Sequence, residues 1–488
     1  MGIYIQDEGR ADIGLVHIKQ PPCQLHPLPT IRSYTSTMGS IATPSRSTKT
    51  FSKRGQNAID LGSKRITWDV ISDMWHPQTN PSGILSVGMA ENTLLHDKLL
   101  EYIHANIHLS PAHLTYNNGS MGSNALRRAV SHFLNRHFSP FRPVEPSHIL
   151  MTNGCSSAIE HLSWSFLNPG EAILLSKPYY STFIADITLR PEAVVIPVDM
   201  GKTIDDPLSP GAVDQYRKAA DEYEVRTGKR VRAVMLCNPH NPLGRCYPRK
   251  TVDRLMQFCQ ERQMHLISDE IYALSVWENR ADTDTGNTGV SLFAPFESLL
   301  SRDTSGLIDP DLVHVLWGMS KDFGANGLRV GAVISQSNAE FHTSQKCLSL
   351  YSFVSGVSDQ ITAAILGDDV FTDGYIATNR ELLSVSHEFL VKILRENRIE
   401  YSRGCNAGFF VWVNLGKKYL ELHPEEDRQR ELGLEFTDML FQKLLENKVY
   451  VAHGTAYGSE NPGWFRLVFS HPLPWLEEAM VRILRALE

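Results

Sequence analysis

None of the 7 cysteines falls in a Cys-x-x-Cys pair, and no acidic residue occurs between Ile13 and Ala58. No apolar run approaches the roughly 18 residues that a membrane helix needs. An odd set of unpaired cysteines argues against a disulfide framework or a zinc ribbon and for a reducing compartment, so a cytoplasmic chain is expected. A net charge of −7 offers no basic surface for nucleic acid or an anionic membrane. No internal repeat is evident. What is present is an ordinary globular composition, 42% hydrophobic and 21% charged over 488 residues. That length allows two or three domains at roughly 150 residues each.

Residues 1–60 stand apart. Ser, Thr, Pro, Lys and Arg dominate (SYTSTMGSIATPSRSTKTFSKRG), and such a stretch cannot bury enough apolar area to offset its ordering entropy. The composition also suits an organellar transit peptide. However, Asp7, Glu8 and Asp12 and the lack of an amphipathic helix favour a disordered tail. From about 148 to 335, short β-branched or Leu-rich runs (HILMTNG, EAILLSKP, AVVIPV, RAVMLCNP, HLISDE, VHVLWGMS, RVGAVIS) alternate with helical patterns such as 214–227 and 250–262. Alternation of this kind indicates an α/β domain built on a largely parallel, doubly covered sheet. After about 370 the texture becomes a long helical segment (380–397), then GFFVWVNL, a helix near 433–447, VYVAHG and WFRLVFS. This second texture suggests a smaller α+β domain.

Ligands of open α/β sheets sit outside the carboxyl ends of the strands, so the polar groups found there are the ones to question. TNGCSSAIEHL (152–162) is a Gly-centred turn entering a helix, a natural phosphate seat through Ser156 and the backbone, although serine N-capping explains it as well. KPYYSTF (177–183) ends on two tyrosines, which core packing would also account for. CNPHNPLG (237–244) sets Asn238 and Asn241 in a double-proline turn. SDEIYAL places Asp269 directly after an apolar run, with Tyr272 three residues on; a carboxylate there is costly unless a cation or several donors meet it. WGMSKDFGANGLRV ends a strand on Lys321, equally costly unless the amine is used chemically, with Arg329 eight residues later. One ligand answers all of these demands together: pyridoxal 5′-phosphate, which needs a lysine, an anion for its ring nitrogen, a stacking ring and a phosphate cup.

These motifs resemble the class I/II aminotransferase family of pyridoxal-phosphate enzymes (fold type I). Within it the chain is most similar to the 1-aminocyclopropane-1-carboxylate (ACC) synthase branch, over roughly residues 65–488. The branch is carried by GMAENTL (88–94), YSFVSGVSDQ (351–360), NAGFFVWVNL (406–415) and WFRLVFSH (464–471). The resemblance implies a large domain with a mostly parallel seven-stranded sheet (106–370), a smaller α+β domain (371–488) and an N-terminal segment (61–105) packing with the latter. It implies that Lys321 bonds the cofactor aldehyde and later moves the substrate Cα proton, with Asp269 holding the ring nitrogen protonated. Tyr272 and Asn241 would bond the ring 3-oxygen, and Tyr180 would stack on the ring. Arg329, Ser156, Cys155 and Ser320 would surround the phosphate. Arg466 would clamp the substrate α-carboxylate, with Asn241, Glu91 and Asn92 also facing the substrate. A homodimer with its sites at the subunit boundary is implied too.

Two departures accompany the resemblance. The family usually carries a phosphate-binding serine three residues before the lysine; here Gly318 stands there, leaving Ser320 or water to replace a hydrogen bond. Where ACC synthases have tyrosines that cross to the neighbouring site, this chain has Asn117 and Ser120, with Tyr116 one position off. The expected activity is therefore a lyase that abstracts the α-proton of an L-amino acid and expels a sulfur leaving group, similar to carbon–sulfur lyases of fungal secondary metabolism. A plain aminotransferase and a genuine ACC synthase acting on S-adenosylmethionine are the alternatives. A non-catalytic regulator would need a DNA-binding pattern in residues 1–60, where no helix-turn-helix signal occurs. His161 and His240 lack a metal-ligand spacing and read as packing or surface, with no metal expected. The polar stretch 279–290 reads as a tolerated surface insertion.

Overall fold

The seven apolar runs between 148 and 335 each form a strand: β1 Ile149–Asn153, β2 Ala172–Ser176, β3 Val194–Val198, β4 Val231–Cys237, β5 His265–Asp269, β6 Val313–Gly318 and β7 Val330–Ile334. They join in one sheet in the order β1-β7-β6-β5-β4-β2-β3. The pairings β2–β3, β2–β4, β4–β5 and β5–β6 are parallel, and β7 runs antiparallel to both β1 and β6. Three of these strands, β2, β5 and β7, are buried along their whole length and three more have a single residue that is not, which is why they read as continuous apolar runs rather than alternating ones. Residues of alternate parity fill the two faces. Leu174, Val234, Leu266, Val315 and Trp317 belong to one core, whereas Leu175, Met235, Ile267, Leu316 and Val333 belong to the other.

The computed structural model describes residues 50–63, 65–200, 206–282, 293–427 and 433–488, and Phe51–Glu488 forms a single compact unit. The expected disorder or transit signal of the tail lies, for residues 1–49, outside the described residues, as does most of the polar insertion (283–290). Within the reach assigned to the tail, however, Lys53–Gly62 is a helix, entered through Ser52, whose hydroxyl accepts from the Gly55 amide at 3.1 Å. It buries no residue fully. Its composition therefore resembles that of a disordered segment, and its serine cap is the local signal for its start.

Four antiparallel strands follow the large sheet: β8 Glu400–Tyr401, β9 Phe410–Asn414, β10 Ala452–His453 and β11 Trp464–Val468, in the order β10-β11-β9-β8. The helix Asp369–Glu396 spans from one core to the other, placing Tyr375 and Ile376 in the first and Leu383, Leu390 and Leu394 in the second. Upstream, Leu85–Ser86 pairs in parallel with Val449–Tyr450. Arg482 donates to the carbonyls of Gly83 and Lys448 at 2.9 and 2.8 Å, and Trp75 meets Trp475 edge-on at 5.0 Å. These ties carry the segment around Gly88–Asn92 toward the edge of the large sheet.

The start of the polar insertion is not loose surface. Asn279 and Asp282 are buried, and the Asp282 carboxylate accepts from Asn279 (3.0 Å), Arg395 (3.0 Å), Tyr401 (2.7 Å) and the Gly404 amide (3.3 Å). Its polar sequence conceals a buried acceptor hub. Asp282→Ala strands several donors at once and should lower stability by about 3 kcal/mol, read as a drop in the urea midpoint at unchanged slope.

Candidate active site

Because β7 runs against its neighbours, its amino end and the carboxyl ends of β1, β4, β5 and β6 share one edge. Asn153 pairs with Val330, Cys237 with Asp269, Asp269 with Leu316, and Gly318 with Gly331. Residues scattered from 153 to 331 thus meet along one rim. Cys155, Ser156, Tyr180, Asn241, Asp269, Tyr272, Ser320, Lys321 and Arg329 all line one cavity of about 250 Å³. A wider cleft of about 590 Å³ shares Tyr180 and Lys321 with it and reaches Glu91 and Arg466. Asn92 is the exception among the sequence candidates. It is buried, donates to Asn379 Oδ1 at 2.8 Å and lines neither cavity. It anchors the segment rather than facing a ligand.

Lys321 lies in the single helical turn Met319–Asp322 after β6, and its Nζ donates to the Ala90 carbonyl at 2.6 Å. Burial, reinforced by the charge of Arg466 and opposed by Glu91, lowers its pKa to about 8. Asp269 ends β5 with its carboxylate accepting from the Ile271 amide at 3.2 Å. Burial outweighs that bond and the Lys321 charge and raises its pKa to about 7. A carboxyl held this way ionises when a cationic partner arrives in the cavity. Tyr272 is buried edge-on against Phe409 and Phe410 at 5.2 and 5.3 Å. Tyr180 meets Phe183 edge-on at 5.3 Å.

The phosphate end is shaped by close backbone approaches. Gly154 (φ 76°) opens the helix Gly154–Phe166, and a Cβ there would sit 2.3 Å from Arg329 Nη2. Only glycine combines that left-handed turn with the guanidinium lying on it. Arg329 is itself left-handed (φ 54°), a conformation that costs about 1–2 kcal/mol, and its Nη1 donates to Asn326 O at 3.0 Å. At Gly318 a Cβ would fall 2.5 Å from the Val330 carbonyl, 3.1 Å from Gly331 Cα and 3.2 Å from Cys155 Sγ. No hydroxyl can be presented from position 318. Cys155 is a half-buried thiol, raised well above its ordinary pKa chiefly by desolvation, and donates to the Trp317 carbonyl at 3.4 Å.

On the substrate side, Arg466 is buried. Its Nη1 donates to Asn241 Oδ1 (2.9 Å) and its Nη2 to the Gly88 carbonyl (2.6 Å), while its Nε has no partner. The Phe410 and Tyr457 rings lie 5.2 and 5.0 Å from the guanidinium carbon. Asn326 donates to Glu91 at 2.8 Å, holding that carboxylate at the cleft. Sequence reasoning missed Asn326, Cys237 and Asp186, all of which line the inner cavity. Asp186 could have been noticed as the lone acid in the otherwise apolar stretch FIADI. His161 and His240 are buried packing residues; among the described residues no cluster could hold a metal ion, and no helix is long and apolar enough to cross a membrane. Another cavity, about 640 Å³, opens beside Val313 and Ile334 at the opposite edge, but its Arg302 is already neutralised by Glu297 and Asp253.

A buried amine, an acid without a cation, a guanidinium on a glycine turn and an orphaned arginine Nε are the groups that pyridoxal phosphate and an amino-acid carboxylate would satisfy. The fold agrees. The Thermus thermophilus aspartate aminotransferase with maleate superposes with a TM-score of 0.64 at 18% identity, over 89% of this chain and 99% of that one, which establishes a fold type I architecture. The sequence matches the family described as aminotransferase class I and II over residues 86–483, and the chain belongs to that pyridoxal-phosphate-dependent family. It is 31% identical over 441 residues to the probable aminotransferase sirI of Leptosphaeria maculans, covering 87% of this chain and 97% of that protein. It is also 31% identical to 1-aminocyclopropane-1-carboxylate synthase 3 of Oryza sativa subsp. japonica, over 84% of this chain and 89% of that one.

Two outcomes follow for the cofactor-free protein. The Asp269 carboxyl titrates near 3.8 when exposed and near 7 when folded, so the folded state holds the extra proton across that window and stability falls as pH rises through it. Asp269→Asn removes this loss. It should equal wild type at pH 4 and exceed it at pH 8 by up to about 4 kcal/mol in urea unfolding. Gly318→Ser, which restores the usual family residue, should lower the thermal midpoint and weaken cofactor binding measured by absorbance, at a cost of about 1–3 kcal/mol in stability.

Proposed function

We propose that this enzyme holds an L-amino acid by its α-carboxylate at Arg466, removes the α-proton with Lys321 and expels a sulfur leaving group from the side chain. The observation that carries the reading is the convergence of the Lys321 and Arg466 side chains on one cleft. When bound, pyridoxal phosphate supplies an aldehyde that links reversibly to amines and a ring that accepts the electron pair left at Cα. Asp269, ionised opposite the ring nitrogen, holds a proton on that atom. Asn241 has its Oδ1 committed to Arg466, so its amide donor is left for the ring 3-oxygen alongside the Tyr272 hydroxyl. Lys321, once displaced, takes the Cα proton; burial keeps it neutral often enough near pH 8 to act as a base. Arg329 and Ser156 receive the phosphate.

The wall facing the side chain supports the choice of leaving group. Ile66, Trp68, Met89, Tyr450 and Tyr457 line it, an aromatic and thioether surface suited to a soft, sulfur-bearing substituent. In the elimination the Cα–H pair passes to Cα–Cβ as the Cβ–S bond breaks, sulfur leaves as thiolate, and hydrolysis of the unsaturated product yields pyruvate and ammonia. A cytoplasmic setting is supported by the free thiols. Aminotransfer from an L-amino acid to a 2-oxo acid is favoured instead by the Leptosphaeria relative's name. ACC formation from S-adenosylmethionine is favoured by the rice relative's name. The reading includes a homodimer. Leu114, Tyr116, Leu350 and Tyr351 are exposed apolar side chains, and Ser349 donates to Ser120 at 2.8 Å, joining their two segments into one strip. Tyr351 extends that strip toward Ser156.

Purified enzyme offered an S-substituted L-cysteine, S-adenosylmethionine, or an amino acid with an oxo acid should release pyruvate and thiol from the first. A transaminated product alone would overturn the lyase. Lys321→Ala should abolish every turnover and borohydride labelling at 321. Arg466→Ala should lower kcat/KM by roughly 10²–10³-fold, chiefly through KM.

A further inference from the structure

Asp186 lies on the short helix Thr182–Thr188 that follows Tyr180. It lines the cofactor cavity and also a second cavity, about 500 Å³, that joins it at Ser156. The Ser156 hydroxyl lies close enough to favour its anion, and its Oδ2 is buried without a partner. The two groups expected to receive the phosphate, Ser156 and Arg329, are therefore the ones that surround this acid. An ionised carboxylate would repel a phosphate dianion at that distance, whereas a protonated one presents an O–H donor. Position 318, where a hydroxyl would otherwise serve, has no room for one.

We propose that Asp186 belongs to the phosphate seat as a neutral acid, its Oδ2–H donating to a phosphate oxygen, so that phosphate binding is coupled to uptake of one proton. Charged groups face it from four elements: Arg65 from the segment after the first helix, Glu160 from the helix Gly154–Phe166, Arg329 from the loop before β7, and Asp269 at the end of β5, which opposes the anion. The two arginines favour the anion and Glu160 opposes it. Burial is the largest effect and brings the pKa to about 6 in the cofactor-free protein. A bound dianion raises it further, so affinity for the phosphate falls as pH climbs above 6.

The test compares pyridoxal phosphate with pyridoxal, which lacks the phosphate, on the full-length protein stripped of cofactor. Dissociation constants are taken by equilibrium dialysis at pH 6 and pH 8, for wild type and Asp186→Asn. The asparagine keeps a neutral donor at both pH values. The variant should bind pyridoxal phosphate up to about a hundredfold more tightly than wild type at pH 8 and within about twofold of it at pH 6, and pyridoxal should distinguish the two proteins at neither pH. Equal pH dependence of the two proteins, weaker binding by the variant at pH 8, or a matching effect on pyridoxal would overturn the assignment. A second readout needs no variant. Titration calorimetry at pH 8, where the phosphate is already a dianion, in buffers of different ionisation enthalpy should show more proton uptake for pyridoxal phosphate than for pyridoxal, by up to one proton. No difference between the two ligands refutes it.

Discussion

Two ionisable groups buried at neighbouring strand ends govern this molecule. Asp269 and Lys321 both lose hydration on folding, and neither recovers it within the cofactor-free chain. Burial shifts the acid up to about 7 and the amine down to about 8. The fold thus carries two desolvated ionisable groups on the wall of one cavity. Each keeps a single hydrogen bond to the backbone, Lys321 to the Ala90 carbonyl and Asp269 from the Ile271 amide, and shifted ionisable groups of this kind gather at functional sites.

Keeping those groups in place demands a tightly built rim. Gly154, Gly318 and Gly331 let three backbone segments approach more closely than any side chain permits; a Cβ on Gly331 would meet the Gly154 carbonyl carbon at 2.5 Å. Arg329 occupies a strained left-handed conformation so that its guanidinium lies on the Gly154 turn. On the opposite wall, Asn241 couples the cofactor side to the substrate side through Arg466. Arg466 sits on the small antiparallel sheet and Lys321 follows a strand of the large one, so the shape of the cleft between them depends on how the two sheets are joined by the helix Asp369–Glu396 and the pairing of Leu85–Ser86 with Val449–Tyr450.

Much of this was legible along the chain because buried parallel strands leave an unambiguous trace. Every apolar run between 148 and 335 became a strand, and the polar groups just beyond β1, β4, β5 and β6 stand at the cavity rim. The misreadings share one cause: burial is not local. Asn92, beside Glu91, looks equally placed to meet a substrate, yet its amide is consumed by Asn379, 287 residues away. Asp282 sits in a polar stretch and is nonetheless a buried hub for Arg395 and Tyr401. Asp186 is one acid in an apolar helix, and nothing nearby in sequence announces Ser156 as its neighbour.

The order of residues alone determined which segments become strands, where each ends, and that an amine, an acid and a guanidinium stand at those ends, since hydrophobic runs and their polar stops are properties of short windows. Only the tertiary structure decided which of those groups share a cavity, which lose their water, and which are already satisfied by a distant partner. Desolvation and hydrogen-bond pairing depend on elements brought together across hundreds of residues, and those two quantities separate a reactive side chain from a structural one.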